Sequence, residues 1–135
     1  MFNKIKAFYY YTKARDLTSN EKFLDALDCL KKIPSNTKNV YTYVLQGYVN
    51  ERLGNIDASF ISYDKANSLI RNHKKINLDE ELYLKAYIEY GYANIYKVLG
   101  KLTEYDKSIV QATSRNYDIK NIKKFILEDF PVIEN

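Results

Sequence analysis

One cysteine among 135 residues excludes an internal disulfide, and with it the stapled small-domain class of secreted proteins. One histidine beside that cysteine does not make a structural zinc site, which needs four such ligands. Tryptophan is absent, and there are only two prolines and four glycines. So few chain breakers argue against a β protein full of tight turns and favour long helices. No window approaches the roughly 18 apolar residues that read as a membrane span. The N-terminal run AFYYY is too short for the apolar centre of a signal peptide. The expectation is a cytoplasmic protein without a membrane span.

What is present is ordinary globular composition, 46% hydrophobic and 28% charged, in a length that suits one domain over residues 1–135 with a single core. The net charge of +4 and the pI near 9.0 are mild. They fit weak attraction to nucleic acid, anionic lipid or an acidic protein and select none of these. The residue in surplus is tyrosine, with 14 copies.

The hydrophobic spacing is helical throughout. Residues 2–17 carry Phe2, Ile5, Phe8 and Tyr9 at helical spacing, with Tyr10 and Tyr11 toward other faces. After TSN at 18–20, where Asn20 is a candidate cap, residues 21–33 place Phe23, Leu27, Leu30 and Ile33 on one face and stop at Pro34. A third helix runs from Val40 to Leu53 with Leu45, Val49 and Leu53 as its stripe. Gly54-Asn55 ends it, and Ile56, Phe60, Tyr63 and Ile70 line a fourth. Asp79 is a candidate cap for a fifth, carrying Leu84, Ile88, Tyr92, Ile95 and Leu99 up to Gly100. Leu102, Tyr105, Ile109 and Ala112 mark a sixth. Residues 118–130 form a seventh, with Ile119, Ile122, Ile126 and Phe130 inward before Pro131. The predicted fold class is all-α.

Short helices in pairs invite a search for a repeat. In GYVNERLGNIDASFISYDKA (residues 47–66), Gly47 precedes Gly54 by seven residues and Ala66 follows it by twelve. Ala93 and Ala112 stand at the same offsets from Gly100. Upstream, Ala14 precedes Glu21 by seven, with Phe23, Ala26 and Leu30 following. A glycine or alanine lets two antiparallel helices approach closely while an aromatic fills the space beside it. Gly54 supplies the positive φ that ends a helix.

This pattern resembles the tetratricopeptide repeat, with units near 7–38, 40–71 and 79–115 and residues 118–130 as a capping helix over the exposed apolar end. The resemblance implies antiparallel helix pairs stacked as a short superhelix, whose inner wall comes from the first helix of each pair. On this sequence that wall is Phe8, Tyr11 and Arg15, then Tyr41, Val44, Tyr48 and Arg52, then Tyr87, Tyr90, Asn94 and Lys97. Such a wall would bind protein, aromatics supplying buried area and the basic residues pairing carboxylates.

Catalytic chemistry finds little support. Cys29 lies in the amphipathic window FLDALDCLKK and reads as a small buried hydrophobe. His73 sits among positive charges, and the acidic residues 79–81 open a helix, where negative charge is favourable against its dipole. Glycine spacing fits neither a phosphate loop nor a dinucleotide fingerprint. No catalytic residue, metal site or cofactor is therefore expected. The expected function is non-enzymatic binding of one cognate protein, as an immunity protein against a bacterial toxin or as a secretion chaperone. The alternatives are a single-stranded RNA or DNA binder and an oligomeric scaffold.

Overall fold

A computed structural model describes residues 2–72 and 78–113. These form α1 (Phe2–Ser19), α2 (Phe23–Lys31), α3 (Val40–Arg52), α4 (Ile56–Asn72), α5 (Leu78–Val98) and α6 (Leu102–Thr113), with a short 3-10 turn at Ser35–Thr37 between α2 and α3. No strand occurs among the described residues. The all-α expectation holds. The seventh helix expected at 118–130 lies outside the described residues, as does His73.

Helices pair in sequence order: α1 with α2, α3 with α4, and α5 with α6. Each pair turns on one geometry. At Glu21, Gly54 and Gly100 the backbone is left-handed, with φ of 61°, 80° and 72°. In each turn the next residue's N–H reaches back to the carbonyl five positions earlier at 2.8 Å: Lys22 to Leu17, Asn55 to Asn50, and Lys101 to Tyr96. The left-handed residue itself donates to Thr18, Glu51 and Lys97 respectively, so the last carbonyls of each helix are satisfied. Glycine does this at two turns without cost, and Glu21 does it with a side chain.

Seven residues before each turn stands the small residue that the pairing needs. Ala14 and Ala93 are fully buried, and Gly47 is buried as well. At Gly47 an added Cβ would lie 2.7 Å from the Tyr63 ring, so the α3–α4 contact depends on its absence. Ser59 of α4 donates to the Gly47 carbonyl at 2.7 Å, a second mark of the close approach. The helix α3 begins in a capping box, the Asn39 side chain accepting from Thr42 N–H at 3.0 Å and Thr42 Oγ1 accepting from Asn39 N–H.

Four expectations for element faces and caps are corrected. Phe2, Ile5, Phe8 and Tyr9 do not face the core but are 55–80% exposed. α1 instead buries Tyr11, Ala14 and Thr18, with Ala7, Tyr10 and Leu17 packed against the core. Among the described residues α1 packs chiefly against α2, with lesser contact to α3 and to the 3-10 turn at Ser35–Thr37, so the face carrying Tyr11, Ala14 and Thr18 is covered and the face carrying Phe2, Ile5, Phe8 and Tyr9 is not. Asn20 is no N-cap, since its side chain donates back to the Asp16 carbonyl and closes α1. Leu99 lies past the end of α5 and is half exposed, and α5 begins at Leu78, which puts Asp79 inside its first turn.

Beside the aliphatic side chains, the core among the described residues holds five tyrosines, Tyr11, Tyr41, Tyr63, Tyr87 and Tyr92. Tyr41 and Tyr63 are fully buried, and each hydroxyl reaches a carboxylate on another helix. Tyr41 donates to Glu80 at 2.6 Å and Tyr63 to Glu51 at 3.0 Å. Tyr92 does the same to Asp64. Cys29 is buried and unpaired by disulfide.

Candidate functional site: a tyrosine groove between α3 and α5

On α3, Tyr48, Glu51 and Arg52 fall at i, i+3 and i+4. On α5, Tyr87, Tyr90, Gly91 and Asn94 fall at i, i+3, i+4 and i+7. Each set therefore shares one helical face. The two faces meet and enclose a narrow groove of about 30 Å³ lined by these seven residues. Five of the eleven wall positions expected from sequence, Tyr48, Arg52, Tyr87, Tyr90 and Asn94, are brought together here.

The floor is a hydrogen-bond chain. Tyr63 of α4 passes between α3 and α5, with Gly47 on one side and Gly91 on the other. At Gly91 an added Cβ would lie 2.5 Å from the ring. Its hydroxyl donates to Glu51 Oε2, and the hydroxyl of Tyr87 is hydrogen-bonded to it in turn. Asn94 Nδ2 donates to Glu51 Oε1 at 2.8 Å across the groove. Burial pushes the Tyr63 and Tyr87 hydroxyls well above the ordinary tyrosine value, with the Glu51 charge adding to it. They remain protonated, and Glu51 accepts from the Tyr63 hydroxyl on one oxygen and from the Asn94 amide on the other.

The walls are rings. Tyr48 packs 6.1 Å from Tyr87 and 6.2 Å, edge-on, from Phe23 of α2. Burial, the largest effect, raises the Tyr48 hydroxyl, with Arg52 pulling it down and Glu51 and Glu21 pushing it up. The Arg52 guanidinium lies over the Phe23 ring, 5.8 Å from its centroid, on the α2 side of the groove.

The other expected wall positions fall elsewhere. Tyr11, Tyr41 and Val44 are core residues, 3% exposed or less, and Tyr87, although it lines the groove, is only 4% exposed. The wall assignment placed them toward solvent. Tyr41 and Val44 turn inward because α3 packs α4, α2 and α5, leaving it little free face, and Tyr11 lies on the face by which α1 meets the core. Arg15 is half-buried in α1, Phe8 is exposed there, and Lys97 is exposed near the end of α5 without lining the groove.

Glu51 and Gly91 were missing from the sequence-based site. A signal for Gly91 existed: glycine inside a helix costs about 0.5–1 kcal/mol relative to alanine, so its presence mid-helix asks for a close neighbour. Nothing in the sequence marks Glu51, because its partners come from α4 and α5.

Among the described residues no group of three His, Cys, Asp or Glu is placed to hold a metal ion, and no helix is long and apolar enough to cross a membrane. Comparison of the chain with protein-family models, with curated proteins and with solved structures finds no match.

Proposed function

We propose that this protein is a non-enzymatic binding module of the tetratricopeptide-like kind, which engages one cognate protein through the groove between α3 and α5. The observation that carries this reading is the convergence of Tyr48, Arg52, Tyr90 and Asn94, from two helices that are distant in sequence, around one narrow groove. Arg52 and Asn94 are exposed, and Tyr48 and Tyr90 half-exposed, so the rim offers aromatic area and polar groups together. Tyrosine and arginine at the centre of a contact carry much of the affinity in protein interfaces. The finer form we favour is neutralisation or escort of that partner, as an immunity protein does for a bacterial toxin or a chaperone for a secreted protein.

The test is capture of a partner on the immobilised protein, identification by mass spectrometry, and titration of the purified pair against Arg52→Ala. A loss of about 2 kcal/mol or more in binding, with the melting temperature unchanged, supports the groove. Binding that tolerates Arg52→Ala and Asn94→Ala places the contact on another face. Recovery of RNA or DNA, with affinity falling steeply as salt rises, replaces protein by nucleic acid as the partner.

A further inference from the structure

Four large apolar side chains in the first half of α1 stand open: Phe2 is 80% exposed, Ile5 60%, Phe8 55% and Tyr9 56%. At about 100° per residue, Phe2, Ile5 and Tyr9 lie within about 60° of one another, opposite the buried Tyr11, Ala14 and Thr18. α1 is thus apolar on two faces, and among the described residues only one of them is covered. A helix apolar all round belongs in an interior or against an apolar medium.

The surroundings carry one sign of charge. Residues 2–15 and 29–50 contain no Asp or Glu. By the same helical geometry Lys6 and Lys13 flank the outer face of α1 on one side, and Lys4 stands beyond Phe8 on the other. α2 runs back along α1, so its last turn brings Lys31 and Lys32 to the same end. The Lys32 ammonium lies over the Tyr10 ring, 5.6 Å from its centroid. All five lysines are exposed. The carboxylates of this helix pair, Asp16, Glu21, Asp25 and Asp28, lie toward the turn between the helices.

Exposed apolar area within a ring of lysines is complementary to a surface that is anionic outside and apolar beneath. We infer that the outer face of α1 is a peripheral membrane site, which lies on a bilayer containing anionic phospholipid. Phe2, Ile5, Phe8 and Tyr9 enter the boundary of headgroups and acyl chains, while the lysines stay at the level of the phosphates. The helix lies on the bilayer and does not span it, since no described helix is long and apolar enough to cross. A second copy joined through the same face would set lysines against lysines. A nucleic acid would meet the lysines and leave the aliphatic Ile5 without an apolar neighbour. The inference goes beyond the α3–α5 groove and does not depend on it, because α1 lines none of that groove.

The chain has no tryptophan, so Phe2→Trp sets a single fluorescent reporter on this face, and Val110→Trp sets a control on the exposed side of α6. The full chain is mixed with vesicles of phosphatidylcholine and phosphatidylserine in equal parts, or of phosphatidylcholine alone, and binding is read by flotation. The mixed vesicles should bind, with a blue shift of the Phe2→Trp emission and none of the Val110→Trp emission. Affinity for phosphatidylcholine alone should be lower by about tenfold or more. Ile5→Ser with Phe8→Ser should weaken binding by about tenfold or more, because less apolar area is buried. Lys6→Glu with Lys13→Glu should do the same, while Lys101→Glu with Lys107→Glu, an equal change of net charge on other helices, should not. Melting curves check each variant, and the reporter and lysine pairs carry the test if the serine pair does not fold. Absence of flotation with the mixed vesicles overturns the inference. So does binding that both lysine pairs weaken alike and the serine pair leaves intact, which is attraction by net charge alone. If ultracentrifugation finds a dimer that the serine pair converts to monomer, a second copy covers the face and the membrane site falls.

Discussion

Tyr63 shows how one residue ties the molecule together. Its ring separates α3 from α5, its edges lie against Gly47 and Gly91, and its hydroxyl holds Glu51 at the groove floor. Replacing Gly91 by alanine puts a methyl 2.5 Å from that ring, well inside van der Waals contact, so the ring or a helix must shift. The expected cost is about 1–3 kcal/mol, read by chemical denaturation, and Gly47→Leu should cost at least as much. If Gly91→Ala melts like the parent, the wedge is looser than the geometry implies. Tyr11 makes the opposite case. It is 3% exposed, and its hydroxyl has no hydrogen-bond partner among the described residues. An unsatisfied buried hydroxyl costs about 1–3 kcal/mol, so Tyr11→Phe should raise stability by about 1 kcal/mol. A loss of stability in that variant would mean that the hydroxyl is bonded after all.

At the scale of elements, the three turns explain how the array is spaced. Left-handed residues at 21, 54 and 100 close three helix pairs with the same two hydrogen bonds, although only two of the three are glycine. Glu21 bears a backbone cost of about 1–2 kcal/mol that glycine would not, partly offset by glycine's greater freedom in the unfolded chain. Glu21→Gly should therefore stabilise the protein by about 0.5–1 kcal/mol in thermal or denaturant unfolding. A destabilised variant would show that the Glu21 side chain contributes more in the native state than its backbone costs. The turn offsets of 33 and 46 residues were legible in the sequence, because a Schellman-type ending and a small residue one helical stretch earlier leave a local signature. The inward face of α1 was not. Phe2, Ile5, Phe8 and Tyr9 have the right spacing for a core stripe, but spacing describes a face without saying which neighbour exists to cover it.

For the whole molecule, buried tyrosines set the response to pH. Tyr63 and Tyr87 are raised chiefly by burial, then by the charges and hydroxyls beside them, and Tyr41 and Tyr92 are raised by burial and their carboxylate partners. A tyrosine raised in the folded state stabilises fully below its unfolded value of about 10, and that contribution is lost as pH rises beyond it toward the folded value. Each such group withdraws about 1.4 kcal/mol per pH unit over that window, because the unfolded chain releases a proton that the native one keeps. With Tyr63 and Tyr87 alone counted, stability should fall by about 2.8 kcal/mol per pH unit above about pH 10, so that unfolding comes in strong alkali, and should be insensitive to these groups below about pH 9. Tyrosinate absorbance and helical circular dichroism should then show a shared step. Complete tyrosine ionisation ahead of any loss of helix would contradict the burial of this cluster.

The sequence by itself determined the all-helical class, the pairing of neighbouring helices and the positions of their turns, because these follow from local period, chain breakers and backbone handedness. It also placed Tyr48, Arg52, Tyr87, Tyr90 and Asn94 on faces able to meet. Only the tertiary structure decided that Tyr11, Tyr41 and Val44 turn inward and that Gly91 receives Tyr63. It alone set Glu51 at the groove floor, between Tyr63 and Asn94. Burial and hydrogen bonding of a side chain depend on which helix comes to lie beside it, and that neighbour is separated by tens of residues from the pattern that formed the helix.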